Sequence, residues 1–478
     1  ASRDMDIAVS HTKGNEVHIA GINTWRSLDG GVTFNPTTNW NISVTESDNL
    51  GYSHADVDLL TFVGSTLYTT TDGGLFKATN SAGPISTTYF TDITSGLGIR
   101  QFYAFGISQT NPVVITGGAQ DNGSATLTST GLWRDWIGGD GMEGFVDKTN
   151  SQIIYGTAQE GSLNKSIDGG QTLVGITIPD NKTGNWVTPF EQDPVAVNVI
   201  YAGYDQVYKS LDGGLNWTAI SQVFSSKLNH LKIAQSDPNT MYASYHNKIY
   251  KTTTGSGTWT ELFSYSGDNI NSVAIHPTNA NKVAIATIGT EKVYVTNDGG
   301  TTWTSYKFDL PDFSALALVW DNNGNDGLYL GMDYGVYYID NTTNNSWQPF
   351  INNLPNVKIS ELEINYSDNK LYTATYGRGV WRTPRYDITT LGTTDNSIKE
   401  AGIKMYPNPA SQTFNLVSNS DETVDVRVFN ALGKLMFFKK NLNLIENYKI
   451  DISQYQTGFY FVRINNQNGI FTYKLIVK

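Results

Sequence analysis

The sequence predicts an all-β fold made of repeated four-stranded antiparallel units, and three observations lead there. Gly, Asn, Thr and Ser are abundant while only 16% of the 478 residues are charged, the balance of many short strands joined by tight polar turns rather than of helices. A pattern of alternating apolar strands, the second carrying Tyr and the third ending at Ser or Thr, recurs along residues 6 to 383. A glycine corner of fixed spacing closes several of these units.

The unit near Val197 shows the pattern in full: Val199 to Gly203, Gln206 to Ser210, then Leu211-Asp212-Gly213-Gly214-Leu215-Asn216-Trp217. Nine such units begin near Asp6, Asp56, Gln101, Gly141, Trp186, Leu228, Asn271, Leu316 and Ile359. A spacing of about 40 to 50 residues is that of β-propeller blades, whose radial packing leaves only short, protected edges. Nine exceeds the usual four to eight blades, so residues 1–383 form either one large or split ring or parts of two rings.

The corners read Ser27 to Phe34, Ser166 to Thr172, Ser210 to Trp217 and Thr296 to Trp303, with decayed copies at Thr254 to Trp259 and Asp340 to Trp347. Their chemistry is that of a turn: the Asp carboxylate accepts backbone N–H groups, the Gly pair supplies positive φ, and the closing aromatic packs between sheets. Asp29, Asp168, Asp212 and Asp298 are therefore expected to be structural. The pattern resembles the Asp-box of sortilin-like, BNR-like and glycoside-hydrolase-like propellers exported by Bacteroidetes. Further shared segments are His54-Ala55-Asp56, Asp72-Gly73-Gly74, Gln101-Phe102-Tyr103, Gly117 to Gly123 and Gly138 to Gly141. The resemblance implies the fold more strongly than any activity.

Three stretches depart from the repeat, and irregular loops on a rigid scaffold are where function concentrates. They supply Asp121, Asp140, Glu143 and Glu160 as candidate paired carboxylates for glycoside hydrolysis, with Trp133, Trp136 and Gln120 as candidate sugar contacts. The competing structural reading has Asp121 and Asp140 capping turns and both Trp residues packed between blades. His54, Asp56 and Asp58 alternate, so on a strand they would share one face and suit a hard cation such as Ca2+.

Composition changes after Trp381: residues 384–400 read as a polar linker, and 401–478 as seven short strands of a small immunoglobulin-like β-sandwich. Tyr406-Pro407-Asn408-Pro409, Val428 to Lys434, Gly458-Phe459-Tyr460 and the closing Lys474-Leu475-Ile476-Val477-Lys478 resemble the type A C-terminal sorting domain of the Bacteroidetes type IX secretion system. That resemblance implies export through the outer-membrane secretion machinery, to the medium or the outer cell surface.

Several classes are excluded. Without Cys there is no disulfide framework, thiolate zinc site or thiol catalysis. A net charge of -12 with no Lys/Arg stripe argues against nucleic acid, and no run of about 18 apolar residues spans a membrane. The N-terminus reads as a processed end or an internal start, lacking a signal-peptide pattern. Phosphate-loop, dinucleotide and nucleophile-elbow motifs are missing. The expectation is a surface or secreted protein that binds glycan or protein through loops on one face; the alternatives are a glycoside hydrolase acting on polysaccharide and a structural subunit of a surface complex.

Overall fold

The computed structural model describes residues 4–262, 267–351, 353–386, 403–418, 421, 423–430, 434–466 and 469–478. It divides into two compact units, Ala1–Arg385 and Tyr386–Lys478. From residue 387 on, the expected linker lies outside the described residues.

Among the described residues the first unit is almost all-β. It contains nine small antiparallel sheets, seven of them four-stranded and two three-stranded, and one short α-helix, Ile42–Asp48. Their first strands are Asp6–Val9, Val57–Val63, Phe102–Ile107, Gly141–Val146, Phe190–Gln192, His230–Ile233, Ile270–His276, Ala315–Asp321 and Ile359–Asn365. Strands follow chain order across every sheet, as consecutive short turns require.

From the third sheet to the ninth, each first strand packs on the first strand of the next, and that of the ninth packs on that of the third. Hydrogen bonds hold this last contact. Phe105 N donates to Glu361 Oε2 at 2.8 Å, Gln109 Nε2 to the Ile364 carbonyl at 2.8 Å, and Asn365 Nδ2 to the Ser108 carbonyl at 3.0 Å. The first two sheets pack on each other and stand outside this cycle of seven.

The repeated Tyr of the second strand is buried, and a Lys of the third strand lies over its ring. Lys165 sits 5.0 Å from the Tyr155 centroid, Lys209 5.3 Å from Tyr201, and Lys251 5.5 Å from Tyr242. Lys165 and Lys251 then donate to the carbonyls of Gly213 and Gly299, in the corner of the following sheet. One side chain thus covers apolar surface and ties neighbouring sheets.

The glycine corners close as their chemistry demands. Asp212 Oδ1 accepts Ser210 Oγ, Leu215 N and Asn216 N at 2.8 to 3.0 Å, and Oδ2 accepts Asn216 Nδ2 at 2.7 Å. Asp29, Asp168 and Asp298 repeat this arrangement. Hydrogen bonds from the neighbouring Asn or hydroxyl side chains hold these carboxyls below the ordinary range. Gly213 and Gly214 adopt φ 71 and 100, the left-handed region where a side chain is strained.

The Gly117-Gly118 pair serves close packing instead. A Cβ on Gly118 would lie 2.1 Å from the backbone of Gly141 and Met142, so the second strand of the third sheet can approach the fourth sheet only without a side chain there. Gly118→Ala is expected to lower stability by about 3 kcal/mol, at the upper end of overpacking costs because the obstacle is backbone. The shift of the urea unfolding midpoint measures it.

In the second unit, a three-stranded sheet (Lys404–Tyr406, Thr413–Val417, Tyr448–Asp451) and a four-stranded sheet (Leu435–Asn443, Thr423–Asn430, Gly458–Asn466, Gly469–Val477) share one core containing Phe414, Leu416, Val426, Val428, Val462 and Leu475. Its two terminal motifs meet. Asn408 Nδ2 donates to the Lys474 carbonyl at 2.6 Å, and Asn408 Oδ1 accepts Ile476 N at 2.8 Å. Residues 431–433 of the central motif lie outside the described residues.

Candidate functional site

Antiparallel strands alternate in direction, so the turns between second and third strands and the connections between sheets emerge on one edge, and the Asp-Gly-Gly corners on the other. The edge away from the corners collects the irregular loops. Asp121 lies in the second turn of the third sheet, Asp140 in the connection to the fourth, Gln159 and Glu160 in the second turn of the fourth, and Tyr376 in that of the ninth. His54 and Asp56 precede the second sheet.

Backbone conformation and hydrogen bonds draw these loops together. Asp140 Oδ1 accepts Asp121 N at 2.6 Å and Oδ2 accepts Gln159 Nε2 at 2.9 Å, so this carboxylate braces two turns. Asp121 has φ 56, which frees its side chain from the strand direction, and its carbonyl lies 2.9 Å from His54 Nε2. Asn122 Nδ2 donates to the Asp72 carbonyl at 3.0 Å, a second tie to the first two sheets. Gln120 Oε1 accepts the hydroxyls of both Tyr103 and Tyr376, whose rings are 5.8 Å apart.

One carboxyl here is perturbed. Burial pushes Asp56 upward, and the charges of Asp4, Asp121 and Asp58 add to it against an opposing contribution from His54. The Asp56 carboxyl is thus held above its ordinary range beside a second acidic group. Tyr376 is pushed up to about 12 by burial, with Tyr103 and the nearby Asp121 and Asp140 adding to the rise.

The structure separates other residues that sequence reasoning grouped with this edge. Glu143 lies in the first strand of the fourth sheet, and its charged neighbours are Glu361, Lys232 and Glu191, from the first strands of three other sheets. Burial and Glu361 raise its carboxyl well above the usual value. Trp136 is a correction: it is buried among Val114, Ile137, Val146 and Ile154, and its Nε1 donates to Thr116 Oγ1 at 3.1 Å. No face of it is left for a sugar. Trp133 is half exposed, with its ring centroid 6.3 Å from that of Phe102.

His54, Asp56 and Asp58 do not share a strand face. The strand begins at Val57, Asp56 has φ 62, and the register slips between Val57 and Leu59. Among the described residues no group of three His, Cys, Asp or Glu side chains is arranged to hold a metal ion. Glu160, at φ 57, is exposed; its backbone N–H donates to the Trp186 carbonyl at 3.3 Å and its carbonyl accepts Gly184 N at 2.7 Å. That places the half-exposed Trp186 beside the candidate edge, a residue that sequence reading used only to mark a unit boundary.

With this geometry in view, comparison with known proteins separates the two units. Residues 404–478 match the family described as "Secretion system C-terminal sorting domain". The chain therefore carries a type IX sorting domain, through which it engages the secretion machinery, and it is secreted or held at the outer cell surface. No helix among the described residues is long and apolar enough to cross a membrane.

A curated xyloglucanase from Paenibacillus is 27% identical over 248 residues, 39% of this chain and 24% of that protein. An endo-acting ulvan lyase from Formosa agariphila is 28% identical over 102 residues, 21% of this chain and 19% of that protein. Each match thus spans a quarter or less of the relative. A crystal structure of the GH74 xyloglucanase from Xanthomonas campestris aligns with TM-score 0.55 at 15% identity, covering 80% of this chain and 59% of that one, and is similar in fold.

Proposed function

We propose that the first unit is a polysaccharide-cleaving glycoside hydrolase whose third to ninth sheets close as a seven-bladed propeller. The observation that carries the reading is that Asp56 and Asp121 come to one edge, where His54, two residues before Asp56, lies 2.9 Å from the Asp121 carbonyl and the Asp121 charge is among those that raise the Asp56 carboxyl. Glycoside hydrolysis needs one carboxylic acid to protonate the leaving oxygen and one carboxylate to attack or to activate water. Asp56 takes the first role and Asp121 the second; Asp140 and Gln159 position the turn that carries Asp121. Trp186 offers an aromatic platform at the rim of the same edge.

The similarity to a xyloglucanase supports hydrolysis over simple glycan binding. The second relative acts on ulvan, so sulfated polysaccharide belongs in the substrate panel. The purified chain is incubated with xyloglucan, other soluble β-glucans and ulvan, and new reducing ends and product lengths are followed. Release of oligosaccharides from a β-glucan is the expected result. Retardation on glycan-containing gels without cleavage would reduce the function to binding, and neither cleavage nor retardation would overturn the reading.

A further inference from the structure

The four-stranded sheet of the sorting domain has two unlike faces. Val424, Val426, Val428, Tyr460, Val462 and Ile464 point into the core, and their alternating neighbours should then be polar, as on the solvated face of an antiparallel sheet. Beside the polar Thr423, Asp425 and Asn465, they include exposed aromatic and basic side chains. Phe459 is 51% exposed, Phe461 42% and Phe438 42%.

Cations lie over these rings. The Arg427 guanidinium is 4.4 Å from the Phe438 centroid, and Lys474 Nζ is 4.1 Å from that of Phe459. Arg463 stands across from Arg427 in register, and Lys474 across from Phe461. Three exposed Phe and three cations thus occupy adjoining positions on one open face, where they outnumber the Asp425 carboxylate that lies 3.7 Å from Arg427.

The charge of the chain makes this face distinctive. Residues 401–478 hold nine Lys and Arg against five Asp and Glu, whereas the preceding 400 residues hold 23 against 39. A net positive, aromatic surface on an otherwise acidic chain complements an acidic partner, and aromatic and Arg side chains are the groups that most often anchor interfaces. A sorting domain must be read by another protein. We infer that the open face around Phe438, Phe459 and Phe461 is the surface by which the sorting domain docks on an acidic protein surface of the export machinery. This inference rests on the sorting domain alone and is independent of the hydrolase reading.

The test expresses the full chain in a bacterium carrying the type IX system and follows its release to the medium or cell surface by immunoblot. Combined Arg427→Glu, Arg463→Glu and Lys474→Glu should cut export by about tenfold or more, the scale of losing interface anchors. Phe459→Ser with Phe461→Ser should do the same, while Arg427→Lys, Arg463→Lys and Lys474→Arg together should be exported normally. Lys404→Glu with Lys449→Glu, exposed positions on the three-stranded sheet, should also be exported.

Unchanged melting temperatures of the purified charge variants separate docking from folding. Normal export of the triple reversal, or equal loss from the Lys404 and Lys449 pair, overturns the proposal. So does concentration-dependent dimerisation that the reversal abolishes, which would make a second copy the occupant. Sedimentation with phosphatidylglycerol vesicles that the reversal abolishes would overturn it in favour of a lipid.

Discussion

Asp56→Asn and Asp121→Asn are each expected to lower polysaccharide cleavage by about a hundredfold or more, the usual weight of a general acid or base. The effect on kcat should exceed that on KM, because proton transfer matters only as the glycosidic bond breaks. The pH profile gives a second readout. Asp56 must be protonated to act, so activity falls on the alkaline side as its raised carboxyl ionises. Removing the Asp121 charge lowers the Asp56 pKa, and the residual activity of Asp121→Asn should lose its alkaline limb at lower pH than wild type. Asp212→Asn is the control. Its carboxylate is engaged within a corner on the opposite edge, and its loss should leave the pH profile in place. Full activity in both site variants would dismiss the pair.

What the sequence disclosed and what it hid divide along a physical line. The Asp-Gly-Gly corners were legible because the carboxylate bonds that shape them close within a few residues, as between Asp29 and Ser27, Val32 and Thr33. Strand repetition was legible for the same reason, since alternation and turn chemistry are local. The contact between the ninth and third sheets was not, because Phe105 and Glu361 lie 256 residues apart. Trp136 was left between a sugar-contact and a packing reading because composition cannot tell an aromatic that packs between sheets from one that faces solvent. The alternation of His54, Asp56 and Asp58 failed as a face because Asp56 takes a left-handed conformation that breaks the period of two.

The cluster around Glu143 had a readable signal that drew no attention. Lys232 stands between Leu231 and Ile233, and Glu361 and Glu363 flank Leu362, charges that alternate with apolar residues in the first strands of their units. First strands are the ones that pack on one another around the cycle, so a charge at such a position meets charges from other sheets rather than solvent. Glu143, Glu191, Lys232, Glu361 and Glu363 do so from four different sheets.

Lys232→Met should destabilise the protein more at pH 8.5 than at pH 5, and the difference comes from these carboxyls. Burial works against the Lys232 ammonium, but Glu191, Glu143 and Glu361 together hold its pKa above the ordinary value, and it is paired with Glu191. A cation whose pKa rises on folding stabilises the fold below its unfolded pKa, so its contribution is complete across this pH range. The carboxyls behave oppositely. Burial pushes Glu361 to about 7, while burial and Glu361 push Glu363 to about 8, so the folded chain retains protons that the unfolded chain releases near pH 4. Stability from these two groups therefore declines as pH rises from about 5 to 8. Without Lys232 the remaining carboxyls repel one another with no ammonium among them, and that decline deepens. Breaking a buried pair costs about 3–5 kcal/mol; the Lys232 side chain is 34% exposed, so screening by solvent reduces the expected loss at pH 8.5 to about 2 kcal/mol, with less at pH 5. Glu363→Gln should instead flatten the alkaline decline. Urea unfolding of the three proteins at both pH values measures this, and equal losses for Lys232→Met at the two values would show that its ammonium does not hold the carboxyls together.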